Sequence, residues 1–164
     1  MMKRSDYCEY INQYRNQLYT VAYSILKNEM DAEDAACNAI LKGYEHLHQL
    51  KNPRKFKTWM ITITKNEALK IRKKRLELLE NEKVGDLIEP TYDNYNELWD
   101  IVQSLREEYR LVIVLFYYND LSIRDISHVL DIPVGTVKSR LNRGKELLRN
   151  MLDEKGKETG EYHD

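Results

Sequence analysis

Residues that break regular structure are scarce in this sequence. Its 164 residues include six glycines and three prolines, Pro53, Pro90 and Pro133. With Leu, Ile, Lys and Glu abundant, that scarcity favours an all-α fold. No apolar run approaches the ~18 residues that a membrane span requires. The N-terminus, MMKRSDYCEYINQ, turns polar straight after its basic residues and never enters the apolar stretch of a signal peptide. The expectation is a cytoplasmic protein without membrane insertion. The two cysteines, Cys8 and Cys37, are far apart and lack a CxxC partner; they read as reduced, half-buried small apolar residues. His46, His48, His128 and His163 show no ligand spacing, so neither metal nor cofactor is expected.

What is present is charge, and it is segregated. Charged residues make up 32% of the chain, yet the formal net charge is −1. Between Lys51 and Arg75 the basic residues are Lys51, Arg54, Lys55, Lys57, Lys65, Lys70, Arg72, Lys73, Lys74 and Arg75, opposed only by Glu67. From Leu76 to Arg110 acids dominate. From Thr136 to Arg149 the sign turns basic again, with Lys138, Arg140, Arg143, Lys145 and Arg149 against Glu146. Two basic patches are thus hidden by an acidic span between them, and the net charge is a poor guide to partners.

Hydrophobic spacing supplies the helices. Apolar residues from Tyr7 to Ile25 recur in threes and fours, which predicts a helix over Asp6 to Lys27, with Asn28 at its end. A second helix is predicted from about Asp31 to Tyr44, and a loop through His46 to Pro53. A third runs from Phe56 to Arg75, where the cationic last turn suits the negative end of a helix dipole. Leu76 to Tyr95 is acidic, weakly periodic and contains Gly85 and Pro90. It reads as a flexible linker joining two small helical domains, residues 1–75 and 96–153. In the second domain, helices are expected over Asn96 to Leu105 and Glu107 to Asn119. The tail, residues 154–164, is expected to fray.

The stretch LSIRDISHVLDIPVGTVKSRLNRGKELLRN, Leu121 to Asn150, predicts a helix-turn-helix. Ser122 and Asp125 have the spacing of a helix start, and Ile132-Pro133 stops the first helix. On the second helix Val137, Leu141, Gly144 and Leu148 share one side, with Gly144 permitting close helix contact. Ser139, Asn142 and Arg143 share the other, flanked by Lys138 and Arg140. Such a polar face suits a major groove: Arg143 can take guanine bidentately, and Lys138, Ser139 and Asn142 can meet base edges or phosphates. Arg140, Lys145 and Arg149 suit phosphates. The plainer alternative is an amphipathic helix with a solvated basic face.

TVKSRLNRGKELLR resembles the promoter-reading helix of bacterial sigma factors, with Gly144 where Ala is usual. LYTVAYSILKNEMDAEDAACNAILKGYEHL, followed by NPRKFKTWMITITKN, resembles the other conserved sigma domain. Two such domains and a short linker resemble the extracytoplasmic-function (ECF) group. The resemblance implies that the C-terminal domain reads the −35 element as duplex through Thr136, Lys138, Ser139, Arg140, Asn142 and Arg143. It implies that the N-terminal domain reads and opens the −10 element through Lys51, Asn52, Arg54, Lys55, Phe56, Asn66, Lys70 and Arg72. In it the loop His48 to Phe56 captures a flipped base. A cationic patch with Phe56 and Trp59 among its lysines also suits single-stranded DNA, although core packing is the readier role for Trp59.

The carboxylates Asp31, Glu33 and Asp34 admit two readings. They suit a divalent metal in a nuclease, but negative charge at a helix start is favourable in any case. The resemblance implies instead that Asp31, Asp34, Ala35 and Asn38 dock on core RNA polymerase, at its β′ clamp helices, with a further contact to the β flap. Cys37-Asn38 stand where the family has Gln-Glu, and Thr62 where a basic residue is common. The resemblance implies that the acidic linker mimics a polyanion in a polymerase channel; the plainer alternative is a solvated tether. The function expected is that of a non-enzymatic alternative sigma factor, with promoter DNA, core polymerase and an anti-sigma protein as partners. A self-sufficient helix-turn-helix regulator and a metal-dependent nuclease are the rivals.

Overall fold

A computed structural model describes residues 1–81 and 96–158. The chain divides into two units, 1–91 and 92–164, and among the described residues every regular element is helical. The N-terminal unit holds α1 (Arg4–Leu26), α2 (Glu29–Glu45) and α3 (Phe56–Asn81), each packed on the other two. Lys27 takes the left-handed conformation (φ 52°) that ends α1. Asn28 then caps α2, its side chain accepting from the Asp31 amide at 2.9 Å. Asn28 therefore starts the second helix and does not end the first, as an Asx side chain free to accept a backbone N–H at N3 favours.

α2 lies close to its neighbours because its inner face is small: Ala32, Ala35, Ala36, Ala39 and Gly43 are buried. A Cβ on Gly43 would stand 2.6 Å from Met60 Sδ and 2.7 Å from Tyr7 Oη. Tyr7 uses that space to donate to the Ile40 carbonyl at 2.5 Å, and burial pushes its hydroxyl pKa upward. Leu18, Val21, Met60, Ile61 and Ala68 complete the core.

Two sequence expectations change here. α3 does not stop at Arg75 but runs on to Asn81, so Leu76–Asn81, expected as linker, is helical. Arg72–Arg75 is then mid-helix, and Arg75 is engaged by Asp31 across the α2–α3 interface, not by a helix dipole. Cys8 and Cys37 are both exposed free thiols instead of half-buried ones. The rest of the acidic span, residues 82–95 with Gly85 and Pro90, lies outside the described residues.

The C-terminal unit holds α4 (Glu97–Ser104), α5 (Glu107–Ile113), α6 (Ile123–Leu130) and α7 (Val134–Glu158). A single helix was expected over Glu107 to Asn119, but α5 loosens into a π turn at Val114–Tyr118. The buried Asn119 closes it, its backbone amide at 3.2 Å and its side-chain Nδ2 at 3.0 Å both donating to the Val114 carbonyl. Arg110 is buried and donates to the Leu105 carbonyl at 2.7 Å, fixing the α4–α5 corner. α7 continues to Glu158, past the expected fraying point at Asp153, helped by Lys155 meeting Glu97 of α4 at 3.5 Å. Residues 159–164 lie outside the described residues. No described helix is long and apolar enough to cross a membrane.

Candidate nucleic-acid interface

The α6–α7 pair is built as a helix-turn-helix. Ser122 caps α6 by accepting the Asp125 amide at 3.1 Å. The turn is made by Asp131, whose left-handed backbone (φ 54°) ends α6. Ser127 then donates to the Ile132 carbonyl at 2.5 Å while the Ile132 amide returns to the Ser127 carbonyl. Asp131, not Pro133, is therefore the pivot that sequence reading missed; its residue type is the one signal for it, since Asp is among the few non-Gly residues that take left-handed backbone.

α7 is anchored by Val137 and Leu141, both buried, and by Gly144, where a Cβ would lie 3.0 Å from Ile113 of α5. That fixes which side faces out. Lys138, Ser139, Asn142 and Arg143 are exposed together, and Thr136 and Arg140 are half-buried beside them. Ser139 donates its hydroxyl to the Thr136 carbonyl at 3.1 Å. Arg143 meets Glu146 at 3.2 Å, one turn along the same helix, a solvent-exposed pair that holds it only weakly.

In the N-terminal unit, the segment before α3 is pinned by buried Leu47 and Leu50. Asn52 caps the short 3-10 turn Pro53–Lys55 by accepting the Arg54 amide at 3.1 Å. Lys51, Asn52, Arg54 and Lys55 consequently project outward. Phe56 does not. It is 1% exposed, with ring centroids of Tyr10 at 5.1 Å, Tyr7 at 5.7 Å and Tyr14 and Trp59 at 6.3 Å. The expectation that Phe56 meets DNA is corrected: it is the core aromatic on which the loop and the start of α3 are seated, while Trp59 stays partly exposed.

Farther along α3, Asn66 and Lys70 are exposed and Arg72 is half-buried. Asn66, Lys70 and Lys73 line one groove with Lys42 of α2. Beneath them Glu67 Oε1 accepts from Lys42 at 2.5 Å and Lys70 at 3.2 Å. Burial works to raise the Glu67 pKa, but the hydrogen bonds from the two ammoniums outweigh it and hold the carboxyl below its ordinary range. The same bond to Glu67 raises the Lys42 pKa.

α2 turns a different face outward. Asp34 and Asn38 are exposed, beside Met30 (76% exposed) and Leu41 (60%). Met30 and Leu41 were not singled out from the sequence, although steps of four and three put them in line with Asp34 and Asn38. Ala35, expected as a polymerase contact, is fully buried, because it lies on the small-residue stripe that packs α2. Asp31 is largely buried and committed to Arg75 at 2.5 Å. Its carboxylate is thereby paired across the α2–α3 interface.

Two helical units, one carrying a cationic helix and the other a helix-turn-helix, define a two-domain DNA-binding protein of transcription. Comparison with known proteins narrows the class. The Sigma-70 region 2 model matches residues 10–76, and the Sigma-70 region 4 model matches residues 95–148. The ECF RNA polymerase sigma factor SigW of Bacillus subtilis (strain 168) is 32% identical, over 92% of this chain and 92% of that protein. The RNA polymerase sigma factor SigV of the same organism is 27% identical, over 87% and 88%. Among solved structures, the sigma factor RpoE in complex with the anti-sigma factor NepR from Bartonella quintana shares the fold with TM-score 0.80 at 21% identity, over 90% of this chain and 97% of that one. CnrH in complex with the cytosolic domain of CnrY gives TM-score 0.67 at 21% identity, over 93% and 90%. The chain belongs to the sigma-70 family, in its ECF group, and is an alternative sigma factor that directs transcription initiation. The self-sufficient regulator and the nuclease are set aside by that membership.

Proposed function

We propose a division of labour between the two units within the initiation complex. The C-terminal unit, residues 96–153, reads the −35 duplex with Lys138, Ser139, Asn142 and Arg143, while Thr136 and Arg140 steady α7 against the backbone. The N-terminal unit, residues 1–75 with the α3 extension, takes the −10 strand along Lys51, Asn52, Arg54, Lys55, Asn66, Lys70 and Arg72. Trp59 replaces Phe56 as the aromatic offered to a base. Asp34 and Asn38, with Met30 and Leu41, form the face for the β′ clamp helices of core polymerase, and the C-terminal unit meets the β flap. The chain supplies recognition and no chemistry of its own. An anti-sigma protein, like the one solved with the RpoE relative, is the regulating partner.

One observation carries this reading. Burial of Val137, Leu141 and Gly144 leaves the polar residues of α7 together on the outward side, as major-groove entry requires. The test is run-off transcription with core polymerase over a genomic promoter library. Specific starts sharing −35 and −10 elements are expected. A chain that neither joins core polymerase nor directs starts would sink the proposal.

A further inference from the structure

Between α2 and α3 lies a groove of about 430 Å³ whose polar lining is Lys42, Asn66, Lys70 and Lys73 around Glu67. Glu67 is the sole acid in the cationic run from Lys51 to Arg75, and it is 7% exposed. A carboxylate at that depth needs partners. Among the described residues it has two, and both use the same oxygen: Lys70 from its own helix and Lys42 from α2. Each ammonium has three donors and gives one to Glu67. Their side chains remain 38% and 63% exposed, so donors are left over at the groove mouth. Three ammoniums against one carboxylate leave the groove with a formal charge of +2. Asn66 adds a neutral donor. The anion that fits is one that continues along the exposed lysines of α3, Lys70, Lys73 and Lys74. That is an extended polyanion and not a lone carboxylate, and lysine serves as a point-charge phosphate binder.

We infer that this groove binds a backbone phosphate of the unpaired promoter strand, with Glu67 as the positioning residue that sets Lys42 and Lys70 for it. The inference rests on the reading of α3 as DNA-facing and adds α2 to it. Lys42 stands one turn beyond Asn38 and two beyond Asp34, so the DNA surface and the polymerase-facing surface meet at this residue.

The test uses holoenzyme on a forked promoter fragment with an unpaired −10 strand, with affinity measured against potassium chloride concentration. Each single-strand phosphate neutralised contributes about 0.7 to the log–log slope. Lys42→Gln is expected to lower the slope by about that amount and weaken binding several-fold, and Lys42→Arg to restore it. Affinity for a duplex −35 fragment should not change. In a Glu67→Gln background, Lys42→Gln should change the slope by less than half as much, because the ammonium is no longer held. If Glu67→Gln does not fold, Lys42→Gln alone decides. An unchanged slope for Lys42→Gln, or an equal loss on the duplex fragment, overturns the inference. If wild-type holoenzyme still initiates normally in that case, the sigma-factor reading stands, whereas failure of wild-type initiation sinks that reading itself.

Discussion

In the N-terminal unit the cations near the groove answer to sequestered acids: Lys42 and Lys70 to Glu67, and Arg75 to Asp31. On α7 the corresponding cation, Arg143, is paired among the described residues with Glu146, an exposed residue one turn along its own helix. The interiors differ in the same way. Phe56 sits in a box of tyrosines gathered from α1, whereas α6 and α7 pack through Ile126, Val129, Val137 and Leu141. A cation tied to a buried acid is set before DNA arrives, which suits a phosphate met in the same way on every sequence. A loosely paired guanidinium can leave Glu146 and fit a base edge, which suits discrimination.

The largest effect expected from breaking this contrast is at Phe56. Phe56→Ala should destabilise the N-terminal unit by about 3–5 kcal/mol, as for other buried aromatics, measured by denaturant unfolding. If Phe56 stacked on a base instead, stability would hold and only DNA binding would fall. Gly43→Ala comes next, because its methyl would overlap both Met60 Sδ and the Tyr7 hydroxyl that bonds Ile40. A loss of about 1–3 kcal/mol is expected for such overpacking. An unchanged midpoint would mean that α2 and α3 separate more easily than their small-residue stripe implies.

Arg143→Ala tests the other unit. It should cost about 1–3 kcal/mol at one −35 position and relax the preference there, read by titrating holoenzyme against single-base promoter variants. A uniform loss on every promoter would assign Arg143 to a phosphate, and the contrast between preset and free cations would collapse.

Acid should separate the units as well. Hydrogen bonds from Lys42 and Lys70 hold the Glu67 pKa below its ordinary 4.5 despite burial. A depressed folded pKa contributes stability that is present above the unfolded value and lost as pH falls through the folded one. Unfolding midpoints followed downward from pH 5 should therefore drop more steeply for the wild type than for Glu67→Gln. Parallel curves would show that the Glu67 charge contributes nothing.

Much of the C-terminal site was legible because its signals are local. Ser122 to Asp125 is a cap within one turn, and Val137, Leu141 and Gly144 recur within one helix. The N-terminal misreadings involve partners distant in sequence. Phe56 among lysines has the composition of a strand-stacking patch, and only the fold brings Tyr7, Tyr10 and Tyr14 around it. Ala35 lies beside Asp34 in sequence, yet one helical step turns it into the core. Lys42 carried no signal until Glu67, 25 residues away, was placed against it. The π turn at Val114–Tyr118 was invisible for a related reason: the bond that closes it depends on Asn119 being buried by other helices.

The smallest expected effect completes the comparison of the two close-packed glycines. At Gly144 a Cβ would meet Ile113 Cγ1 at 3.0 Å and Cδ1 at 3.2 Å, both atoms of a side chain that can shift. At Gly43 one of the obstacles is a hydroxyl already held by a hydrogen bond. Gly144→Ala also recovers about 1 kcal/mol of helix propensity, which opposes the cost of moving Ile113. The sum should fall within about 0.5 kcal/mol of zero, with −35 recognition intact, since the methyl adds on the packed side of α7. A loss above about 1 kcal/mol would show that α5 holds Ile113 as firmly as Ile40 holds Tyr7. The two units would then differ in their chemistry but not in the tightness of their packing.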